Sequence, residues 1–305
     1  MTSTQPAPHV TLHDGTTIPQ LGFGTLNVPP GRDSSPERMA HTADVVGAAI
    51  ELGYRLLDTA QQYGNERGVG QAIAATAVPR DDLYVTTKLG NANHQPAAVR
   101  RSFDDSLTNL GLHQLDLFLM HWPLPTVGDG DYVSTWKAMT ALVADGRVRS
   151  VGVSNFQPDH LDRIIGDTGV IPVVNQIEVH PYFANRAACN ASTRHGIVVE
   201  AWSPLGQGHV LDDPTIGDVA DATGKTPAQV ILRWHLQHGH VVVPKSLHAD
   251  RMRENHQLFD FELTDDQMAA IDALDRGPDG RIGPNPDTFD WVPSDATPNR
   301  PGTRR

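Results

Sequence analysis

Asp58, Tyr63, Lys88 and His121 are of the residue types that transfer a proton to a carbonyl oxygen. Asp58, Lys88 and His121 each end a short apolar run, and Tyr63 follows Asp58 by five residues. A lysine buried at a strand end needs a counter-charge, which Asp58 can supply. A tyrosine at its ordinary pKa of about 10 is a poor acid–base catalyst at neutral pH. A neighbouring ammonium stabilises the phenolate and draws that value towards the working range. His121 can donate a hydrogen bond to a substrate oxygen. Together the four would protonate a carbonyl oxygen while another group delivers hydride. Spacing leaves a second reading open, in which Asp58 and Lys88 only close a layer of strand ends and Tyr63 is an ordinary loop aromatic.

Other patterns fail. Gly224-Lys225-Thr226 lacks the upstream glycine of a phosphate loop, where Val219 stands. Gly152-Val153-Ser154-Asn155-Phe156 departs from a nucleophile elbow at its last position. No His-Glu-x-x-His occurs, and His235, His238 and His240 read as solvated histidines without a carboxylate partner. No metal site is expected.

The elements that would position the four residues alternate along the chain. Apolar or β-branched runs cover 21–25, 55–58, 83–88, 115–121, 148–154, 173–178, 197–202 and 241–244. Several are apolar at consecutive positions, as strands covered on both faces should be. Helix-period segments lie between them. Val99, Phe103, Leu107 and Leu110 share one face, as do Trp136, Met139 and Val143. Ser35-Pro36-Glu37, Thr226-Pro227-Ala228-Gln229 and Thr264-Asp265-Asp266-Gln267 carry helix-start signals. Asp14-Gly15 between 10–12 and 17–19 marks a hairpin, expected to plug the bottom of the fold.

Eight such runs suit a (β/α)₈ barrel or an open doubly wound sheet. No Gly-x-Gly-x-x-Gly follows an early strand, and nearly every run ends in a polar or aromatic side chain. A barrel gathers all its strand C-termini on one face, where active sites of that fold lie. The barrel is therefore chosen, as one domain spanning 1–305. Residues 277–305 are proline-rich and read as a loop, with Phe289 and Trp291 able to fold back over the mouth.

Composition narrows the function classes. The chain has 305 residues and a formal charge of −12, from 24 Lys+Arg against 36 Asp+Glu. No basic stripe is visible, so nucleic acid is not an expected partner. The lone Cys189 excludes an internal disulfide framework. The N-terminus lacks a signal-peptide pattern, and no apolar run nears the roughly 20 residues of a membrane helix. A cytoplasmic protein is expected, with no membrane partner. Without a heptad or a large apolar stripe, the default is a monomer.

Three strings then carry a resemblance. Gly53-Tyr54-Arg55-Leu56-Leu57-Asp58-Thr59-Ala60 followed by Tyr63-Gly64-Asn65-Glu66, the Gly152–Phe156 string, and Val243-Pro244-Lys245-Ser246 resemble the aldo-keto reductase superfamily. The likeness covers about residues 9–283. The string from Ala201 to Gly208 is most similar to the bacterial 2,5-diketo-D-gluconic acid reductase branch. The resemblance implies a (β/α)₈ barrel that binds NADPH and reduces aldehydes and ketones to alcohols by hydride transfer.

It also implies roles. Tyr63 would be the general acid, Lys88 would tune it, Asp58 would hold Lys88, and His121 would orient the carbonyl. Ser154, Asn155 and Gln176 would hold the nicotinamide carboxamide, and Trp202 would stack on the ring. Gly24, Thr25, Leu26, Ser203, Leu205 and Gln207 would line the cofactor path, with Asp58 at its reacting end. Lys245, Ser246, Arg251, Glu254 and Asn255 would meet the adenosine end, where a guanidinium suits a 2′-phosphate.

Departures from the pattern fall beside the expected pocket, in the polar stretch 29–37 and in the tail. Pocket walls are assigned to Leu26, Tyr54, Trp122, Phe289 and Trp291, for a small-molecule carbonyl substrate. Two rivals remain: a cofactor-sensing regulatory subunit of the same fold, and an unrelated barrel enzyme such as an isomerase.

Overall fold

The computed structural model describes residues 7–293. A hairpin of β1 (His9–Thr11) and β2 (Thr17–Pro19) precedes the barrel. Eight parallel strands follow: β3 (Gly22–Gly24), β4 (Leu56–Asp58), β5 (Tyr84–Leu89), β6 (Leu115–Met120), β7 (Val148–Ser154), β8 (Val174–Glu178), β9 (Val198–Trp202) and β10 (Val241–Val242). They pair in sequence order, and a bridge between Leu21 and Val242 closes the ring. Each sequence run holds its strand to within a few residues.

Helices α1 (Pro36–Glu51), α2 (Glu66–Ala75), α3 (Pro96–Leu110), α4 (Tyr132–Ala144), α5 (Pro158–Thr168) and α6 (Arg186–Arg194) make the crossovers up to β9. Two helices, α7 (Pro214–Thr223) and α8 (Pro227–Gln237), separate β9 from β10; α9 (Ala249–His256) and α10 (Asp265–Asp272) follow. Their starts obey the local signals. Thr226 and Thr264 both close capping boxes with a glutamine three residues on, and the Ser35 hydroxyl caps α1. In α4, Trp136 and Met139 are buried, but Leu142 continues the apolar face while Val143 is exposed. The step from Met139 to Leu142 keeps the helical repeat, whereas Val143 lies at its edge.

The hairpin is the plug. Leu12 and Ile18 are buried against Leu56, Leu117, Leu119, Val174 and Val241 inside the barrel. Ser150 Oγ donates to the Asp14 carboxylate at 2.6 Å, and the His13 ring meets the Pro172 carbonyl at 3.1 Å. The polar turn is thereby anchored to the N-terminal ends of β7 and β8. The opposite, C-terminal ends of the strands form the mouth.

The tail crosses that mouth. The Glu178 carboxylate accepts from the backbone N–H of Ile282 and of Gly283, and Gly283 lies against the Trp202 indole. Further on, Phe289 packs on Trp122 with ring centroids 4.1 Å apart, and Asn91 Nδ2 donates to the Trp291 carbonyl at 2.8 Å. Residues 294–305, with Pro298 and Pro301 of the expected loop, lie outside the described residues.

Two expectations change. Tyr54 is not a pocket wall: it precedes β4, is 1% exposed, packs on Phe23 and His256, and donates to the Met252 carbonyl. A residue before a strand's first position sits at the bottom of the barrel, and its ring fills the space towards α9. Nor are the clustered histidines all solvated: only His238 is exposed, and it has a carboxylate partner. His235 is fully buried with its ring 3.2 Å from His240, and His238 pairs with Asp272 at 2.9 Å. Helix periodicity turns His235 inward with Trp234, a distinction that counting histidines misses. Cys189 lies in α6 as a free thiol pushed up to about 12, chiefly by burial.

Ile18→Ala should lower unfolding free energy by about 2–5 kcal/mol. Because the plug and the mouth are at opposite ends, kcat should change little. Urea denaturation beside a turnover assay measures both.

Candidate active site

At the mouth, the β4–β5 register sets Asp58 against Thr86, two residues before Lys88. Lys88 is fully buried, and its Nζ lies 2.7 Å from both Asp58 carboxylate oxygens. The same ammonium meets the Thr59 carbonyl at 3.0 Å and the Tyr63 hydroxyl at 3.3 Å. Gln176 Nε2 donates to Asp58 Oδ2 at 2.8 Å. Burial alone would discharge Lys88, but Asp58 and Tyr63 reverse that and raise its pKa above the ordinary value.

Tyr63 is placed by a short turn over Gln61–Tyr63 that ends at Gly64 with φ 66°. A Cβ on Gly64 would stand 2.5 Å from the Arg32 carbonyl oxygen, so glycine is required there twice over. Gln61 ties the turn down: its Oε1 accepts from Gly90 N–H and Asn93, and its Nε2 reaches Ser102 and Ser106. On the other flank, Asn65 Nδ2 donates to the carbonyls of Thr25 and Val28.

Burial raises the Tyr63 pKa; Lys88 and Arg32 pull it down, and Asp58 pushes it further up. The net direction in the free protein is upward. The sequence-based expectation of a phenol drawn towards neutrality is thus not met, because a buried site penalises phenolate more than one ammonium rewards it. His121 stacks edge-on to Tyr63, centroids 5.7 Å apart. Burial, Lys88, Arg32 and His94 hold it well below the usual histidine range, so the imidazole is neutral near pH 7. One of its nitrogens carries an N–H to donate. Asp58, Tyr63, Lys88 and His121 therefore converge as expected.

Ser154, Asn155, Gln176 and Trp202 form an adjoining strip. Asn155, at φ 64°, donates to the His121 carbonyl and to Ser154 Oγ, and accepts from Trp202 Nε1 at 2.9 Å. Ser154 Oγ donates to the Gln176 carbonyl, across the β7–β8 pair. Ser203, Leu205 and Gln207 follow on the loop after β9, with Ser203 and Gln207 at positive φ. Gly24 abuts the end of β10, its N–H donating to the Pro244 carbonyl. Thr25 is fully buried and gives its hydroxyl to the Asp58 carbonyl, which makes it a support of the strand end. Leu26 is exposed at the rim.

Lys245 and Ser246 leave β10 beside Gly24, and the Ser246 hydroxyl caps the turn into α9 by accepting from His248 N–H. Arg251 is exposed on α9 and, among the described residues, neither it nor Lys245 enters an ion pair. Glu254 accepts from the Thr226 hydroxyl at 2.7 Å, and Asn255 is buried. Among the described residues no cluster of three or more His, Cys, Asp or Glu could hold a metal ion.

Sequence reasoning passed over three charged residues. Glu200 is completely buried in register with Gln176, neither carboxyl oxygen has a well-formed hydrogen bond, and burial and Asp58 push it up to about 8 against the pull of Lys88. A carboxylate in the middle of an apolar strand was the visible signal. Arg38 is 4% exposed, and its guanidinium donates to the carbonyls of Pro29, Asp33, Tyr63 and Gly64. Arg32 lies over the Tyr63 ring, Cζ to centroid 6.0 Å, with Nη1 donating to the Gln62 carbonyl. Arg32 sits in the polar stretch 29–37 noted only as a departure, and Arg38 follows it in the first turn of α1.

Residues 20–276 match the aldo/keto reductase family model. An aldo-keto reductase of Mycolicibacterium smegmatis is 44% identical over 286 residues, covering 94% of this chain and 99% of the relative. The methylglyoxal reductase DkgA of Salmonella typhimurium is 45% identical over 282 residues, covering 92% and 97%. Among solved structures, a Gox0644 variant in complex with NADPH superposes with TM-score 0.86 at 43% identity, over 94% of this chain and all of that one. The Bombyx mori aldo-keto reductase in complex with NADP gives 0.81 at 36% identity, over 89% and 94%. An unrelated barrel isomerase is thereby set aside. The lysine locked between an aspartate and a tyrosine at the mouth of this barrel belongs to an oxidoreductase, and the chain is a member of the aldo/keto reductase family.

Proposed function

We propose that this protein reduces aldehydes and ketones to alcohols with NADPH, Tyr63 giving the proton. The observation that carries the reading is the Lys88 ammonium, bound at once to Asp58 and to the Tyr63 hydroxyl. NADPH supplies the hydride. The carbonyl oxygen accepts hydrogen bonds from the Tyr63 hydroxyl and the neutral His121, which stabilise negative charge as it develops. Proton transfer from Tyr63 then leaves a phenolate that Lys88 stabilises, and Asp58 holds Lys88 in place.

The residues fit the cofactor. Ser154, Asn155 and Gln176 present amide and hydroxyl groups beside the half-buried Trp202, a face on which a nicotinamide can stack. Lys245 and Arg251 are exposed cations that enter no ion pair among the described residues, suited to the 2′-phosphate that distinguishes NADPH from NADH. One core cluster from Leu21 to Ile271 supports reading the chain as a single domain. The large apolar side chains exposed among the described residues, Leu26, Val143, Val170 and Val292, lie on four separate segments, which supports a monomer. The lone free thiol fits a reducing, cytoplasmic setting. No helix among the described residues is long and apolar enough to cross a membrane.

Tyr63→Phe should cut kcat for aldehyde reduction by at least about 100-fold while NADPH still binds. Tight NADPH binding with no carbonyl turnover by the parent protein would instead favour the regulatory reading. With the Tyr63 pKa raised, its protonated form persists past the ordinary value. Reductive kcat should therefore stay flat from about pH 6 to 9 and fall only above about 10. Alcohol oxidation, which needs the phenolate, should rise with pH over the same range. His121, already neutral, should add no inflection near its ordinary value of about 6.5. Arg251→Gln should weaken NADPH binding by about ten- to a hundredfold and leave NADH nearly unchanged, by fluorescence titration.

A further inference from the structure

The stretch between β3 and α1 brings the Arg32 guanidinium to the Tyr63 ring, and Arg38, in the first turn of α1, brings a second to the Tyr63 turn. Arg38 anchors that stretch. Its contacts to Pro29, Asp33, Tyr63 and Gly64 tie the stretch to the Tyr63 turn from inside. With Arg38 fixed, Arg32 is held over the Tyr63 ring.

The charge on Arg32 is left unbalanced. Its one hydrogen-bond partner among the described residues is the Gln62 carbonyl, through Nη1, and it enters no ion pair there. Its charged neighbour is another cation, Arg38. Nearby carboxylates face other cations: Asp58 is held by Lys88 and Gln176, and the charge of exposed Asp33 acts on Arg38. A guanidinium has five N–H donors, so most of its fork is open to a ligand. Arg32 is also close enough to lower the pKa of both Tyr63 and His121, the two groups that bracket the carbonyl oxygen. In a chain of net charge −12, Arg32 is a cation at the barrel mouth beside the Tyr63 ring.

We propose that Arg32 is a specificity-determining residue that binds an anionic group on the substrate, so that the preferred substrates are carbonyl compounds bearing a carboxylate. A planar guanidinium takes a carboxylate in a bidentate, charge-assisted pair. The inference rests on the reductase reading of the same mouth, since it needs the carbonyl end of the substrate at Tyr63 and His121. The same fork could take a cofactor phosphate oxygen instead, and the test separates the two.

The experiment compares 4-carboxybenzaldehyde with its uncharged methyl ester, methyl 4-formylbenzoate, using the full chain and NADPH at low and high KCl. The parent should favour the acid in kcat/KM, with an advantage that shrinks as salt rises. Arg32→Gln should lower kcat/KM for the acid by about tenfold or more beyond its effect on the ester, mainly through KM. Arg32→Lys should restore part of that difference. Any change in Tyr63 caused by losing the cation affects both aldehydes and cancels in the ratio. An unchanged acid-to-ester ratio in Arg32→Gln overturns the inference while ester turnover keeps the reductase reading. A weakened NADPH Kd with that ratio unchanged assigns the guanidinium to the cofactor and overturns it too. If neither aldehyde is reduced by the parent, the reductase reading falls and the inference with it.

Discussion

The ion pair between Lys88 and Asp58 is the constraint around which the mouth is organised. An ammonium with no solvent exposure is tolerable only when its charge is met at close range, and both carboxylate oxygens lie 2.7 Å away. Removing either partner would strand the other, at a cost of about 3–5 kcal/mol. Everything nearby serves that pair. Gln176 holds Asp58 from β8, Thr25 is bonded to its backbone, and the Thr59 carbonyl takes part of the ammonium. The contact left over on Lys88 goes to the Tyr63 hydroxyl.

That geometry produces a balance of opposed effects. Burial keeps the phenol protonated, which suits a proton donor, while the ammonium stands ready to stabilise the phenolate once the proton has gone. His121 is kept neutral by burial and the same cation, so it can donate without itself adding charge. Glu200, in register with Gln176 on the neighbouring strand β9, is pushed towards its neutral form. A second full negative charge there would compete with Asp58 for Lys88.

The mouth is then shaped by two segments that the barrel itself does not require. Arg38 fastens the β3–α1 stretch to the Tyr63 turn. Glu178 fastens the tail by accepting from the N–H groups of Ile282 and Gly283, and Phe289 closes onto Trp122. Arg32 gives the first segment a cation over the Tyr63 ring, whereas Phe289, Trp122 and Leu26 present carbon. Under the proposed function the acid–base groups gather at strand ends and the segments that would set selectivity are loops, the usual division in this fold.

Period and punctuation made much of this legible from the chain alone. Consecutive apolar runs declared buried parallel strands, capping boxes at Thr226 and Thr264 declared helix starts, and polar residues ending each run declared a common face. Local rules suffice there because they concern neighbours in sequence. Contacts across the fold were beyond their reach. Tyr54 stands in the same string as Asp58, yet four residues along a strand separate the bottom of the barrel from its mouth. Whether His235 is solvated, whether the phenol moves up or down, and where Arg32 points depend on which distant groups pack against them. Sequence determined the elements and the candidate catalytic residue types; tertiary structure decided burial and charge pairing, because both are sums over neighbours that the chain brings together only on folding.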